Sequence, residues 1–195
     1  MRNNASSAGN QQERLVGLEH WIRGFVDGEG CFSIGFVAQP DIVDPKRPFG
    51  RRKAYKTGYQ VGHSFVVVQS ERSLPSLQLL RRFFGIGKIY RNRRHDNHRE
   101  DLFKYEVMKR DDLEKIIIPF FKKYPLLTAK QQDFERFAMV VEMMAEGKHL
   151  THSGLVKIAT VVQYMNHRKP RKHLIRILRG HTPGTLAIST KKMGV

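Results

Sequence analysis

Asp27 and Glu29 are the two side chains whose type and spacing best suit chemistry, because they lie where a helical pattern changes into a strand pattern. An apolar stripe at helical spacing precedes them, formed by Leu15, Leu18, Ile22 and Phe25. Residues 31–38 then alternate like a strand. The C-terminus of a helix disfavours negative charge, so two carboxylates at this point favour the binding of a cation.

Gly24 and Gly28 lie four residues apart in the same helical segment and therefore share one face of it. A glycine inside a helix costs about 1 kcal/mol relative to alanine, so a compensating interaction is expected. Close approach by another helix would supply it. The simpler interpretation of these glycines is a helix end followed by a turn.

The composition indicates a polyanionic partner. Among 195 residues, 35 are Lys or Arg and 18 are Asp or Glu, which gives a formal net charge of +17. So large an excess favours nucleic acid over a membrane surface. No apolar run reaches the length of a spanning helix, and the polar N-terminus does not resemble a secretory signal. With its single cysteine, the chain is expected to be a reduced intracellular protein without an intramolecular disulfide.

The pattern along the chain predicts a disordered tail over 1–12, one domain over 13–167 and a basic tail over 168–195. Within the domain, helices and strands alternate in an order that indicates an α+β fold. The predicted elements are a helix over 13–28, strands over 31–39 and 59–69, a helix over 73–84, strands over 88–95 and 102–108, and helices over 111–124, 129–146 and about 151–166. Thr128 is expected to cap the fourth helix, and Thr151 or Ser153 the fifth.

Residues 22–30, Ile-Arg-Gly-Phe-Val-Asp-Gly-Glu-Gly, resemble the signature of the LAGLIDADG homing endonucleases. The departures from that signature are Arg23 for a small residue, Gly28 for alanine and Glu29 for aspartate. The resemblance covers roughly residues 15–146. It implies the α-β-β-α-β-β-α fold of that family, in which a curved antiparallel four-stranded sheet has helices on one face and DNA on the other.

The resemblance also implies a function, that of an intron-encoded, site-specific homing endonuclease that hydrolyses both strands of double-stranded DNA with a divalent metal. One copy of the signature implies a homodimer with Gly24, Asp27 and Gly28 at its interface, and a two-fold protein prefers a pseudo-palindromic site of ~20 bp. Mg²⁺ is the expected cofactor; Mn²⁺ or Ca²⁺ could substitute, with Ca²⁺ binding without turnover. The host compartment is either a bacterial or archaeal cytoplasm or an organelle.

Three residues match catalytic positions of the family. Glu29 is expected to bind the metal, with the backbone carbonyl of Gly28 beside it, and Asp27 is expected to be structural. Gln69 matches a glutamine at the end of the second strand, and Lys130 matches a lysine that stabilises developing charge. The simpler interpretations are a strand-end hydrogen bond for Gln69 and a first-turn surface residue for Lys130. Arg72 is a weaker candidate for the electrostatic role.

The predicted DNA contacts are polar side chains on the outward face of the strands, together with basic residues of the connecting loops. They are Ser33, Gln39, Arg51, Arg52, Gln60, Ser64, Arg72, Lys88, Tyr90, Asn92, Arg94, Lys104 and Glu106. Two other functions fit the same fold: an RNA-binding maturase that aids splicing of its host intron, and a non-catalytic DNA-binding regulator. Binding to folded intron RNA would identify the first, and the carboxylate of Glu29 argues against the second.

Overall fold

The computed structural model describes residues 5–39, 42–43, 51–52, 55–93, 100–166, 175–176 and 178. Its elements in chain order are α1 (Ala5–Glu29), β1 (Gly30–Ala38), β2 (Ile42–Val43), β3 (Arg51–Arg52), β4 (Tyr59–Ser70), α2 (Leu74–Phe84), β5 (Lys88–Asn92), β6 (Leu102–Val107), α3 (Arg110–Asp112), α4 (Ile118–Lys123), α5 (Lys130–Ala145) and α6 (His152–Val162). A π-helical turn, Leu113–Ile117, joins α3 to α4. No helix in the described ranges is long and apolar enough to cross a membrane.

Four strands form one antiparallel sheet in the order β1-β4-β6-β5, which confirms the predicted α+β fold class. In the pairing of β4 with β6, Phe65 lies opposite Val107 and Val67 opposite Tyr105. Strands β2 and β3 form a separate two-stranded sheet. They lie within the loop that was predicted between the first two long strands.

Helices α2, α4 and α5 pack on the apolar face of the sheet. Phe32 of β1 stacks on Phe65 of β4, with 5.2 Å between ring centroids. Phe121 of α4 contacts both rings, at 5.5 and 5.7 Å, and Phe134 of α5 lies 5.2 Å from Phe32. All four rings are buried, and aromatic residues of this size contribute most of the hydrophobic stabilisation in a core. The alternation of the strands therefore predicted the buried side correctly.

The chain forms two compact units, which comprise the described residues within 1–33 and 63–142 and those within 34–62 and 143–195. In the second unit, Thr151 caps α6 by accepting a hydrogen bond from the backbone N–H of Gly154, as predicted. Its apolar residues Leu155, Ile158, Ala159, Val162, Met165, Ile175 and Leu178 are buried.

Two features differ from the predicted elements. Helix α1 begins at Ala5, so residues 5–12, which were predicted to be disordered, extend its backbone. A helix that has already nucleated adds each further residue at little cost, and the polar residues before Glu13 do not stop it. The second difference is the π-helical turn at Leu113–Ile117, which no periodicity in the sequence indicated. The remaining boundaries agree within a few residues in the described part of the chain.

Candidate active site

Helix α1 passes directly into β1, with Glu29 as its last residue and Gly30 as the first residue of the strand. A Cβ atom on Gly30 would lie 2.5 Å from Cγ1 of Val26 and 2.7 Å from its carbonyl oxygen. Both distances are shorter than any ordinary contact, so this turn from helix to strand requires glycine. The turn holds the exposed Glu29 carboxylate at the end of helix α1.

Asp27 binds the start of helix α5. Its carboxylate accepts hydrogen bonds from the backbone N–H groups of Leu127 and Thr128, at 2.7 and 3.1 Å, and from the hydroxyl of Thr128 at 2.5 Å. The hydroxyl of Thr128 in turn accepts from the backbone N–H of Lys130, as expected of the predicted cap. A carboxylate at a helix N-terminus is stabilised by the helix dipole. These bonds join Asp27 to the start of α5 within one chain, and its expected place at a dimer interface stays a prediction.

Lys130 makes the reciprocal contact with the end of helix α1. Its ammonium group donates hydrogen bonds to the carbonyl oxygens of Val26 and Gly28, at 3.1 and 2.9 Å. These carbonyls have no partner within the helix, and a cation at a helix C-terminus is favourable. Burial lowers the pKa of Lys130, while the negative charges of Asp27 and Glu29 act in the opposite direction. The two helix ends therefore cap each other, and we refer to Asp27, Thr128 and Lys130 as the helix-end clamp.

Glu29 is the carboxylate that the clamp leaves available. It is exposed, and within the described ranges no hydrogen bond or ion pair engages it. Among the described residues no group of three or more His, Cys, Asp or Glu side chains could hold a metal ion. The Glu29 carboxylate and the second lone pair of the Gly28 carbonyl oxygen are oxygen donors, which Mg²⁺ prefers. Because Mg²⁺ keeps several of its waters, it needs only a few protein ligands. The donors of one chain therefore fit Mg²⁺ that also binds water and further ligands.

Gln69 lies at the end of β4, on the apolar side of the sheet, since it is paired with Phe103. The strand alternation places Gln69 on the same side of the sheet as Phe65 and Val67, which are buried. The side chain predicted to order water therefore lies on the helix-covered side of the sheet and not on the face turned away from the helices.

One face of α1 lacks side-chain cover. Gly17, Gly24 and Gly28 are exposed, and a Cβ atom on any of them would have no neighbour within 4 Å. On the same helix, Trp21 is 39% exposed although its ring stacks on that of Phe25. An exposed strip of glycines beside a partly exposed tryptophan provides room for the close approach of a second helix.

The sheet face turned away from the helices, which we call the open face, carries two rows of side chains across β4, β6 and β5. The first row consists of Val68, Lys104 and Tyr90, and the second of Val66, Glu106 and Lys88. Their neighbours along the strands, Ser64 and Asn92, follow the same alternation, and Asn92 is exposed. The open face therefore carries six of the predicted DNA contacts. They are Ser64 of β4, Lys88, Tyr90 and Asn92 of β5, and Lys104 and Glu106 of β6.

The other predicted DNA contacts have different surroundings. Gln39 is only 7% exposed, and its amide donates a hydrogen bond to the side chain of Gln60 at 2.8 Å. Arg72 is exposed and forms an ion pair with Glu100. Ser33 is half-buried on β1. Arg51 and Arg52 form strand β3, but their side chains, and the whole of Arg94, lie outside the described residues.

The reciprocal arrangement of the clamp was not predicted. Thr128 was predicted as a cap and Asp27 as a structural residue that supports the helix ends at a dimer interface, but no bond between them was predicted. The sequence contains a signal for each helix end separately: a carboxylate at a helix C-terminus, where the dipole disfavours it, and a lysine in a first turn, where the dipole also disfavours it. The two misplaced charges compensate each other once the ends meet.

Solved structures of similar fold are those of homing endonucleases. This chain is 37% identical in sequence to I-TnaI, with a TM-score of 0.63, and the match covers 83% of this chain and 95% of that one. It is 30% identical to I-SmaMI bound to an uncleaved DNA target in the presence of calcium ions, with a TM-score of 0.66, over 89% of this chain and 53% of that one.

The sequence profile of the LAGLIDADG endonuclease family matches residues 22–141, and the chain belongs to this family. Over 150 residues it is 35% identical to "Probable intron-encoded endonuclease 3" of Neurospora crassa. That match covers 75% of this chain but 24% of the Neurospora protein, so the chain spans about a quarter of this relative's length. The family resemblance drawn from residues 22–30 is thereby confirmed.

Proposed function

We propose that this protein is a homing endonuclease that binds a long, pseudo-palindromic site in double-stranded DNA and hydrolyses both strands with a divalent metal. The observation that carries the proposal is the helix-end clamp, which occupies Asp27 and leaves the adjacent Glu29 exposed and unpaired within the described residues. Membership of the LAGLIDADG endonuclease family and the DNA complexes among the similar structures support it.

The residues divide the chemistry between them. Glu29 and the Gly28 carbonyl oxygen would hold Mg²⁺, which supplies charge stabilisation and a nucleophilic water for phosphodiester hydrolysis. Mn²⁺ would serve in its place, and Ca²⁺ would bind without turnover. Lys130 keeps its ammonium group beside the Gly28 carbonyl oxygen, where it stabilises negative charge that develops on the phosphate. Gln69, at the end of β4, hydrogen-bonds and orients water.

A second LAGLIDADG helix is required to complete the site, and we propose that a second copy of this chain provides it. The exposed glycines Gly24 and Gly28 form the contact face, and a two-fold axis through it brings the two Glu29 residues together. Repulsion between these carboxylates is relieved by the cations they hold.

The dimer is tested with Gly24→Leu, because a side chain at this position meets nothing within 4 Å inside the chain. Sedimentation should show a dimer for the wild type and a monomer for the variant, with unchanged thermal stability of the fold. The matched control is Gly85→Asn, because Gly85 ends helix α2 with a φ of 69° that asparagine tolerates. A wild-type monomer would instead indicate that the second helix lies in another part of a longer protein.

The activity is tested by incubating a randomised duplex library with Mg²⁺ and sequencing the ends that are produced. The wild type should release pseudo-palindromic sequences cut in both strands. Glu29→Gln should bind the same sequences but cut them at least a thousandfold more slowly, an effect of the order seen when an essential catalytic group is removed. Glu142→Gln, which makes the same change of charge on the exposed side of α5, should cut at the wild-type rate.

Other outcomes would point to the rival functions. Specific binding without cutting by either protein would indicate a DNA-binding regulator, and a preference for folded intron RNA over duplex DNA would indicate a maturase. For the host compartment we propose an organelle with an intron-encoded gene. The reported relative is intron-encoded in a fungus, which supports the organelle and gives no support to a bacterial or archaeal host.

A further inference from the structure

An acidic residue lies in the middle of the open face of this strongly basic protein. Glu106 is flanked by Lys88, which lies opposite it on β5, and by Lys104, two residues earlier on the same strand. The Lys104 ammonium forms an ion pair with the Glu106 carboxylate at 2.9 Å. A carboxylate on a DNA-binding surface repels phosphates, so its presence here has to be offset by another effect.

The side chain of Lys104 is restrained from several sides. Besides its ion pair with Glu106, its ammonium lies 5.5 Å from the ring centroid of Tyr90, a distance at which cation–π attraction operates. Val68 lies opposite Lys104 on the other neighbouring strand. The side chain of Lys104 remains 37% exposed, whereas that of Glu106 is 13% exposed. Glu106 is thus recessed beneath the ammonium group that it holds.

A lysine held in this way is poorly suited to a phosphate contact. Phosphate-binding lysines act as mobile point charges, and pairing with a carboxylate removes most of the attraction to the DNA backbone. A fixed ammonium in the centre of a sheet face suits a base edge in the major groove. It is a donor without acceptor capacity, and guanine is the base that presents two acceptors there, O6 and N7.

We propose that Lys104 reads one guanine in each half of the DNA site, and that Glu106 is the positioning residue that holds Lys104 for this contact. Tyr90 lies beside the ammonium, and Val68 is the neighbour of Lys104 on β4. The proposal rests on the DNA-binding function proposed above and adds a specificity determinant to it. It treats Glu106 as a residue that increases sequence discrimination at the expense of total affinity.

The test is selection of bound sequences from a randomised duplex library in Ca²⁺, with separate titration of an unrelated duplex. Glu106→Gln should lower the preference for guanine at one base pair in each half-site by about tenfold, the scale of one good base contact. The same variant should bind the unrelated duplex more tightly, by a factor of roughly three, because a repulsive charge is removed. A residue that merely stabilised the fold would weaken both kinds of binding.

Two further variants keep the test decisive. Lys104→Met removes the reading group from an exposed position and should abolish the same guanine preference even if Glu106→Gln fails to fold. Replacing the preferred guanine with 7-deazaguanine should weaken wild-type binding and leave Lys104→Met unaffected. Glu142→Gln makes the same change of charge and is the control. It should leave the preferred sequence unchanged, and its effect on the affinity for the unrelated duplex should be smaller than that of Glu106→Gln.

The outcomes separate the two proposals. Wild-type protein that selects no sequence would contradict the proposed function and this inference together. Wild-type protein that selects a site, with unchanged guanine preference in both Glu106→Gln and Lys104→Met, would contradict this inference alone. Loss of the preference in Lys104→Met but not in a folded Glu106→Gln would leave Lys104 as a base contact and overturn the positioning role of Glu106.

Discussion

The helix-end clamp and the open face belong to the same compact unit but are constructed in opposite ways. At the clamp, Asp27 and Lys130 are joined to the backbone of the facing helix by several hydrogen bonds, and Gly30 leaves no room for a side chain. On the open face, side chains such as Tyr90 and Val68 remain 45% and 38% exposed. The difference indicates that the proposed metal site is held by backbone contacts, whereas the proposed recognition surface consists of partly exposed side chains.

The largest effect, on the rate of cleavage, is expected when Lys130 of the helix-end clamp is replaced. Lys130→Met removes the charge beside the Gly28 carbonyl oxygen and should slow cleavage by 10²–10³-fold, about 2.7–4 kcal/mol, as for other groups that stabilise developing charge. Base preference measured by library selection should not change. Lys130→Arg keeps the charge and is the control; an equal loss in both variants would mean that the position serves packing only.

The next effect concerns Asp27. Asp27→Ala leaves the backbone N–H groups of Leu127 and Thr128 without their acceptor, and the free energy of unfolding should fall by about 2 kcal/mol, which is typical of bonds to a charged group. Urea denaturation measures the change. Thr128→Ser keeps the hydroxyl bond and is the matched control. If Asp27→Ala were as stable as wild type, the clamp would not stabilise the fold.

A smaller effect is expected on the covered side of the sheet. Burial raises the pKa of Tyr105, whose hydroxyl donates a hydrogen bond to the carbonyl of Ile86 at 3.1 Å. The raised pKa means that above pH 10 the unfolded chain loses this proton while the folded protein keeps it. Folding stability contributed by Tyr105 is therefore complete below pH 10 and decreases by about 1.4 kcal/mol for each pH unit above it.

Tyr105→Phe should abolish this part of the alkaline destabilisation, which is measured as the difference between variant and wild type in urea denaturation at pH 9 and pH 11. Tyr124, another tyrosine of the same unit, provides the control variant Tyr124→Phe. An identical dependence on pH in wild type and Tyr105→Phe would show that the phenol ionises in the folded protein. Neither variant should change base preference.

The smallest effect on stability is expected on the open face. Val68→Ala removes a side chain that is 38% exposed, and the free energy of unfolding should change by less than about 0.5 kcal/mol. Selection from a duplex library should nevertheless show an altered preference beside the base pair that Lys104 is proposed to read. Val67→Ala, on the buried side of the same strand, should be strongly destabilised without such an alteration. A large loss of stability in Val68→Ala would contradict the proposed difference between the helix-end clamp and the open face.

The sequence was sufficient for the parts of the fold that depend on local patterns. The alternation of β4 and β6 predicted which residues face the helices, and the caps Thr128 and Thr151 were recognised from their type and position. The nine residues from Ile22 to Gly30 predicted the family and the location of the candidate site, while the catalytic and DNA-binding roles of individual residues stay predictions.

What the sequence did not reveal depends on contacts between distant segments or on side-chain rotamers. The hydrogen bonds of Asp27 to Thr128 require two helix ends to meet, and no spacing rule connects them. The pairing of Lys104 with Glu106 depends on which rotamers these side chains adopt. The burial of Gln39 follows from its bond to Gln60, whereas its type alone suggested a base contact. The start of α1 at Ala5 reflects propagation from a stable helix into residues of neutral preference.

The bond between Asp27 and Thr128 joins residues that are 101 positions apart in the chain. Closing so long a loop is entropically expensive, and contacts of large sequence separation form late in folding. We therefore expect a chain emerging from the ribosome, or one that has misfolded in part, to lack an assembled cutting centre even when its strands can already hold DNA. For the proposed endonuclease, this order of assembly would delay cutting until the two helix ends have met.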